Sequence, residues 1–399
     1  MAQAIISRKG GGGGGYATIT FDNANSNVFF SNSNVELRDP RTSHAATTVG
    51  DYALFGGGEF ASNYYFATVE AFNTSLTRSI PTALSVGRAV LAATTVGNYA
   101  LFGGGYSYNS GSTFHQTVDA YDTSLTRSTP TALSVGRYSL AATTIGNYAL
   151  FGGGNGSGYF STVDAYNTSL TRSTPTALSV ARRVLAATTV GDYALFGGGD
   201  GSGYFSTVDA YNTSLTRSTP TALSVARYNL AATTVGDYAL FGGGYNGTYL
   251  STVDAYNTTL THSTPTELSV ARYSLAATTV GDYALFAGGR NGDVYQSAVD
   301  AYNSNLIRST PTEIIPSRAG ARATTVGSYA LFGGGDKGST TRTYDTVDAF
   351  QIKSKVFVYP GTKYKFGSMA SEETSATMQE LTFTPPITGY IKIKDATIN

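Results

Sequence analysis

Short runs of β-branched, aromatic and small apolar residues, each bounded by Gly, Asn, Asp, Ser or Pro, recur along this chain in a fixed order: AATTVG, YALFGGG, STVDAY and SLTRS. Runs of that length and composition predict strands, and none carries the apolar spacing of a helix face. The Ala-Leu-Phe run recurs seven times, with its phenylalanine at Phe55, Phe102, Phe151, Phe196, Phe241, Phe286 and Phe332, so the spacings are 47, 49, 45, 45, 45 and 46 residues. A period near 45 suits a paired-helix solenoid unit or a four-stranded propeller blade, and the strand composition decides for the blade. Four strands of ~6 residues with connections of ~5 come to about 44 residues. The pattern predicts an all-β chain folded as a seven-bladed β-propeller.

In such a ring each sheet is covered on both faces by its neighbours, so its strands need not alternate apolar and polar. The AATT and GGG runs suit the crowding near the axis, where backbone needs room or positive φ. A phosphate cradle is the weaker reading of these glycines, because no helix and no P-loop lysine follows them.

These units resemble the kelch repeat family. The resemblance rests on the apolar run closed by a double glycine (Leu195, Phe196, Gly197, Gly198), the acid and tyrosine of the next strand (Asp209, Tyr211) and the segment from Leu223 to Arg227, and it spans roughly residues 27 to 350. It implies four-stranded propeller blades. Kelch units usually carry tryptophan in the outer strand, where this chain has Arg78, Arg127, Arg172, Arg217, His262 and Arg308; Leu125, Leu170 and Leu215 are expected to take over that packing.

The seventh unit lacks an SLTRS-type run after Phe350, whereas residues 27–41 align without gaps onto residues 168–182, with Phe29 on Leu170, Leu37 on Leu178 and Arg41 on Arg182. The expected organisation is therefore a glycine-rich leader over 1–26, a propeller over 27–350 in which 27–40 close the last blade, and a small β-rich C-terminal tail over 351–399. Local completion by Lys355 to Val358 is the alternative. The tail boundary is also compositional, since six of the eight lysines lie there.

Composition removes several kinds of chemistry. There is no cysteine, so disulfides, thiolate metal sites and cysteine nucleophiles are excluded. Twenty-six basic side chains balance 26 acidic ones, which gives no overall field for nucleic acid. No apolar run reaches the ~20 residues that span a bilayer, and the start lacks a secretory apolar core, so neither membrane insertion nor Sec export is expected. The three histidines, His44, His115 and His262, lack ligand spacing, and no metal or cofactor is expected.

Candidate chemistry collects on one rim. In antiparallel blades the connections from second to third strand (BC) and from fourth strand to the next blade (DA) share one face. The nearly identical units 155–199 and 200–244 differ only there, at Asn155/Asp200, Arg183/Tyr228 and Val184/Asn229. These loops are rich in Tyr, Asn, Gly and Ser, the composition of binding loops. The candidate ligand-binding rim is Tyr64, Tyr65, Tyr106, Tyr138, Tyr159, Arg183, Tyr204, Tyr228, Tyr245, Tyr249, Tyr273, Arg290 and Tyr295. A second candidate is an acidic-ligand ring of Arg41, Arg88, Arg137, Arg182, Arg227, Arg272 and Arg318, one per unit. The competing reading pairs each with the repeated acid: Glu70, Asp119, Asp164, Asp209, Asp254, Asp300 or Asp348.

No singular nucleophile, base or acid stands out, which predicts a non-catalytic module that binds a protein or glycan on a partner or host surface. The leader and tail look similar to tail-associated proteins of bacteriophages and prophages, which implies a virion location; otherwise a cytoplasmic one is expected. An intracellular interaction scaffold and a sugar-modifying enzyme are the alternatives, and the enzyme requires an asymmetric polar pocket in the channel.

Overall fold

The computed structural model describes residues 35–61, 64–338 and 342–352 with their side chains. Beyond these it describes only the backbone strands Gln3–Ser7 and Thr18–Asp22, the remainder of Asn27–Glu36 and of Thr346–Val358, and Lys365–Phe366, Met369–Ala370 and Gln379–Phe383. The chain is all-β, with no helix among the described residues, hence none long and apolar enough to cross a membrane. Two compact units partition it: Phe30–Phe350 is one, and Met1–Phe29 with Gln351–Asn399 the other. In the latter, Gln3–Ser7 pairs with Thr18–Asp22, and Lys365–Phe366 with Met369–Ala370. The leader's glycine run and most of the lysine-bearing tail lie outside the described residues.

Residues 30–350 form a seven-bladed β-propeller. Blade 3 shows the pattern: Ala141–Ile145, Tyr148–Gly152, Val163–Asn167 and Arg172–Ser173 pair in that order, all antiparallel, with Phe151 opposite both Ala142 and Asp164. In blade 7, Arg322–Val326, Tyr329–Gly333 and Thr346–Val358 are followed outermost by the N-terminal strand Asn27–Glu36. The Leu37 amide donates to the Asp345 carbonyl (2.7 Å), and Val35 and Leu37 are buried in the cluster of Phe55, Phe72, Leu331 and Val347.

Apolar burial is shared between blades rather than kept within them. Leu150, Val163 and Ala165 of blade 3 pack with Ala194, Phe196 and Tyr211 of blade 4. Gly152 is obligatory there, since a Cβ would sit 2.8 Å from the Phe196 ring. Leu125, Leu170 and Leu215 pack against these clusters from the turn before the outer strand, holding φ of 60–65°. Each leucine thus reaches the neighbouring sheet from a left-handed turn.

The innermost strands close the ring through hydroxyls. Threonine pairs Thr47–Thr95, Thr94–Thr144, Thr143–Thr189, Thr188–Thr234, Thr233–Thr279, Thr278–Thr325 and Thr48–Thr324 lie 2.7–3.0 Å apart, one pair at every blade junction. The second threonine of each innermost strand also donates to the preceding blade's main chain, as Thr48 does to the Thr325 carbonyl. This belt satisfies polar groups that the crowded axis would otherwise leave without water.

Candidate functional site

The seven motif arginines are structural. All are fully buried, and each guanidinium meets the repeated acid: Arg88–Asp119, Arg137–Asp164 and Arg182–Asp209 at 2.8 Å, Arg272–Asp300 at 2.7 Å, Arg227–Asp254 at 2.5 Å, with Arg41–Glu70 and Arg318–Asp348 also in contact. The ring of Arg41, Arg88, Arg137, Arg182, Arg227, Arg272 and Arg318 is thereby withdrawn from the ligand surface: a guanidinium without water cannot grip a soluble anion. The outer-strand residues complete this pairing. Arg127, Arg172, Arg217 and Arg308 donate to the acid's other oxygen at 2.8–3.0 Å, and His262 lies 2.6 Å from Asp254. One carboxylate thus anchors two cations and a serine amide of the incoming segment, as Asp209 does with Arg182, Arg217 and Ser179.

The BC and DA loops do share one rim, and the structure makes it continuous. The DA residue leading into each blade forms an antiparallel bridge with the BC residue of that blade: Thr42–Glu59, Ala89–Tyr106, Tyr138–Asn155, Arg183–Asp200, Tyr228–Tyr245, Tyr273–Arg290 and Ala319–Asp336. These pairs hold two of the three positions at which the near-identical units differ, and the third, Val184/Asn229, is the next residue inward. The next residue inward has φ between 51° and 66° in every blade, at Ser43, Val90, Ser139, Val184, Asn229, Ser274 and Gly320, and six amide-to-carbonyl bonds of 2.7–3.2 Å link them from Ser43 round to Gly320. Two valines in this region are true outliers, so the circumferential bonding outweighs their steric cost.

On this frame the predicted aromatics gather into arcs. Tyr65, Tyr106 and Tyr138 contact in sequence at 5.9 and 5.6 Å, and Phe114, absent from the predicted set, stacks on Tyr138. Tyr204 stacks on Tyr228, which meets Tyr245, which meets Tyr273, at 5.4–5.8 Å between centroids; Tyr249 stacks on Tyr273. The Arg183 guanidinium lies 5.6 Å over Tyr159 and pairs with Asp200, while Arg290 lies 4.8 Å over Tyr273 and donates to the Tyr295 hydroxyl (3.3 Å). Tyr64 packs edge-on against Phe66. Tyr64, Tyr159 and Tyr204 are the exposed members; the others are half-buried. Burial, then the neighbouring Tyr106, pushes the Tyr65 hydroxyl up to about 12, so it remains a donor.

Inside the rim is a cavity of about 720 Å³, walled by the positive-φ residues and by alanines near the start of the innermost strands, among them Ala45, Ala92, Ala141, Ala187 and Ala276. Its walls are not sevenfold alike. Glu59, Arg290, Arg322 and Asp336 all line it, from blades 1, 6 and 7. The Ser43 hydroxyl holds Glu59 and the Thr42 hydroxyl holds Asp336, each at 2.9 Å. Burial raises the Glu59 carboxyl above its usual range, the Ser43 hydrogen bond opposes that, and Asp336 adds to it. Arg322 stands where blades 1 to 6 have alanine, donates from Nε to the His44 carbonyl (2.8 Å), and is lowered by burial against the pull of Asp336.

Sequence reasoning did not single out Glu59, Arg322 or Asp336, although Arg322 is legible as the break in the AATT run. Among the described residues no three metal-ligating side chains converge.

His44 marks the same junction. It is fully buried in the place of Leu91, Leu140, Leu185, Leu230 and Leu275, and neither ring nitrogen has a well-formed hydrogen bond. Burial holds its pKa well below the usual value, Arg41 and Arg322 add to this, and the Gly333 carbonyl weakly opposes it. A depressed folded-state pKa means that the unfolded chain takes up the proton first, so stability is lost as pH falls below the ordinary histidine value of about 6.5. His44→Leu is expected to stabilise by about 1–3 kcal/mol at pH 7. The gain should widen between pH 7.5 and 5.5 in thermal melts, and a gap independent of pH would contradict this account.

No family model matches the chain, and no curated protein does. Solved structures do. YjhT superposes with a TM-score of 0.52 at 12% identity, over 80% of this chain and 96% of that one. The likeness is of fold. It supports the seven-bladed ring and carries nothing about ligands.

Proposed function

We propose that this protein is a kelch-like recognition module that binds glycans through the BC and DA rim. The observation supporting this most strongly is that the variable bridge residues Tyr106, Tyr138, Tyr228, Tyr245 and Tyr273 assemble with a recurring aromatic of the BC loops (Tyr65, Phe114, Tyr204, Tyr249) into contiguous arcs. Tyrosine faces stack on sugar rings, and the interleaved Asp200, Arg183 and Asn155 offer hydrogen bonds to hydroxyls. A peptide partner that adds a strand fits less well, because the rim's backbone groups are already paired, as Thr42 and Glu59 are with each other. The resemblance of leader and tail to phage tail-associated proteins favours a particle-borne role in contacting a host surface.

The test replaces Tyr204, Tyr228 and Tyr249 together by alanine and compares binding to a printed array of microbial and animal glycans. Three stacking rings at about 0.5–1.5 kcal/mol each predict a loss of roughly tenfold or more. Unchanged binding with an unchanged melting temperature would sink the rim reading. The asymmetric charged cavity favours a second reading, a sugar-modifying enzyme. Its test is mass-spectrometric analysis of the array glycans after incubation, where an altered product would support it.

A further inference from the structure

We infer that the axial cavity receives the terminal residue of a neutral glycan inserted end-on, which names the ligand class within the rim reading proposed above. Four charged side chains line this space, yet none of them makes an ion pair within 4 Å among the described residues. The contrast with the blades is direct, since the propeller's buried arginines all meet a carboxylate there. Each holds a neutral hydrogen-bond partner but no counter-ion, so these half-buried charges keep capacity for further polar contacts from a ligand.

The charges themselves indicate what completes them. Glu59 and Asp336 against Arg290 and Arg322 sum to zero, so the cavity has no net preference for an anion or a cation. An anionic group would face two carboxylates, and a cationic group two guanidiniums. A sugar hydroxyl suits both, because it donates to a carboxylate and accepts from a guanidinium at once. Glu59 and Asp336 are already oriented by Ser43 and Thr42, which leaves their remaining lone pairs for a ligand.

The shape fits one end of a chain. A cavity of about 720 Å³ lies in the range of small-ligand pockets. Its lining runs from the rim to the alanine layer, beneath which the threonine hydroxyls are committed to one another. Arg290 joins the cavity to the aromatic arc, as it lines the one and lies over Tyr273 in the other. A glycan stacked along the arc would therefore place its end residue among the four charges.

Two substitutions test this without threatening the fold, because the repeat already contains them. Arg322→Ala restores the residue found at Ala45, Ala92 and Ala141, and Asp336→Asn the residue found at Asn155. Both variants and the wild type are applied to an array of glycans printed through their reducing ends, each offered with a neutral, a sulfated and an acidic-sugar terminus. The expected result is binding to neutral termini, weakened tenfold or more by either substitution and by sulfation of the terminal residue. If Arg322→Ala binds as well as wild type while the triple tyrosine variant does not, the cavity inference fails and the rim reading stands. Preference for acidic termini overturns the neutral class. If no glycan binds, or if the tyrosine variant binds undiminished, the rim reading falls and takes this inference with it.

Discussion

Asp209→Ala is expected to destabilise the protein by about 3–5 kcal/mol, the range for removing one partner of a buried ion pair. The Asp209 carboxylate accepts from Arg182 at 2.8 Å, from Arg217 at 3.0 Å and from the Ser179 amide at 3.0 Å. Arg182 has no access to water, so alanine leaves a guanidinium buried without a counter-charge. Ser179 and Arg182 come from the segment entering blade 4, whereas Asp209 belongs to its third strand, so the pairing also fixes how that segment lies on the blade. Arg217→Leu should cost far less, because its side chain reaches solvent. Urea unfolding monitored by circular dichroism separates the two, and equal small losses would show that the buried pair is dispensable.

Deleting residues 1–38 is expected to remove about 3–6 kcal/mol, taking burial of Val35 and Leu37 at about 1.5–3 kcal/mol each. The truncation also removes the Arg38 amide that donates to Glu70 (2.6 Å) and the Glu36 carbonyl that accepts from Arg78 (2.8 Å), both links from the outer strand of blade 7 to blade 1. The strand beginning at Thr346 then becomes an open edge, a template for aggregation. A shorter deletion of residues 1–26 leaves Asn27–Glu36 intact and serves as the control. If both truncated proteins melt where the full chain does, the N-terminal strand contributes nothing to ring closure.

Much of this architecture could be read from the chain before any coordinates, because a propeller writes its geometry into its period. Seven phenylalanines near 45-residue spacing define the blades, and the double glycines mark where Phe196 and its counterparts press on the preceding sheet. The aromatic rim was legible for a related reason: antiparallel topology places the BC and DA loops on one face, and substitutions between near-identical units concentrate there.

The arginines were ambiguous because a motif repeats for packing and for binding alike. Only radial position, which periodicity does not encode, decides between a guanidinium aimed into the blade and one aimed at the mouth. The charged cavity was missed because its members lie where the repeat is broken. Thr42 and Asp336 are 294 residues apart in the chain, and ring closure alone brings them within a hydrogen bond. Arg322 and His44 look like isolated departures from alanine and leucine until blades 7 and 1 meet.

The central claim is that a ligand meets the BC and DA rim and not the opposite face. Hydrogen–deuterium exchange, measured with and without the tightest-binding glycan from the array, tests it most directly. Protection is predicted in the BC segments around Tyr106, Tyr159, Tyr204, Tyr249 and Tyr295 and in the DA residues Tyr138, Arg183, Tyr228 and Tyr273. Protection confined to the opposite turns, at Asn73–Thr77, Asn167–Thr171 and their equivalents, would contradict the account.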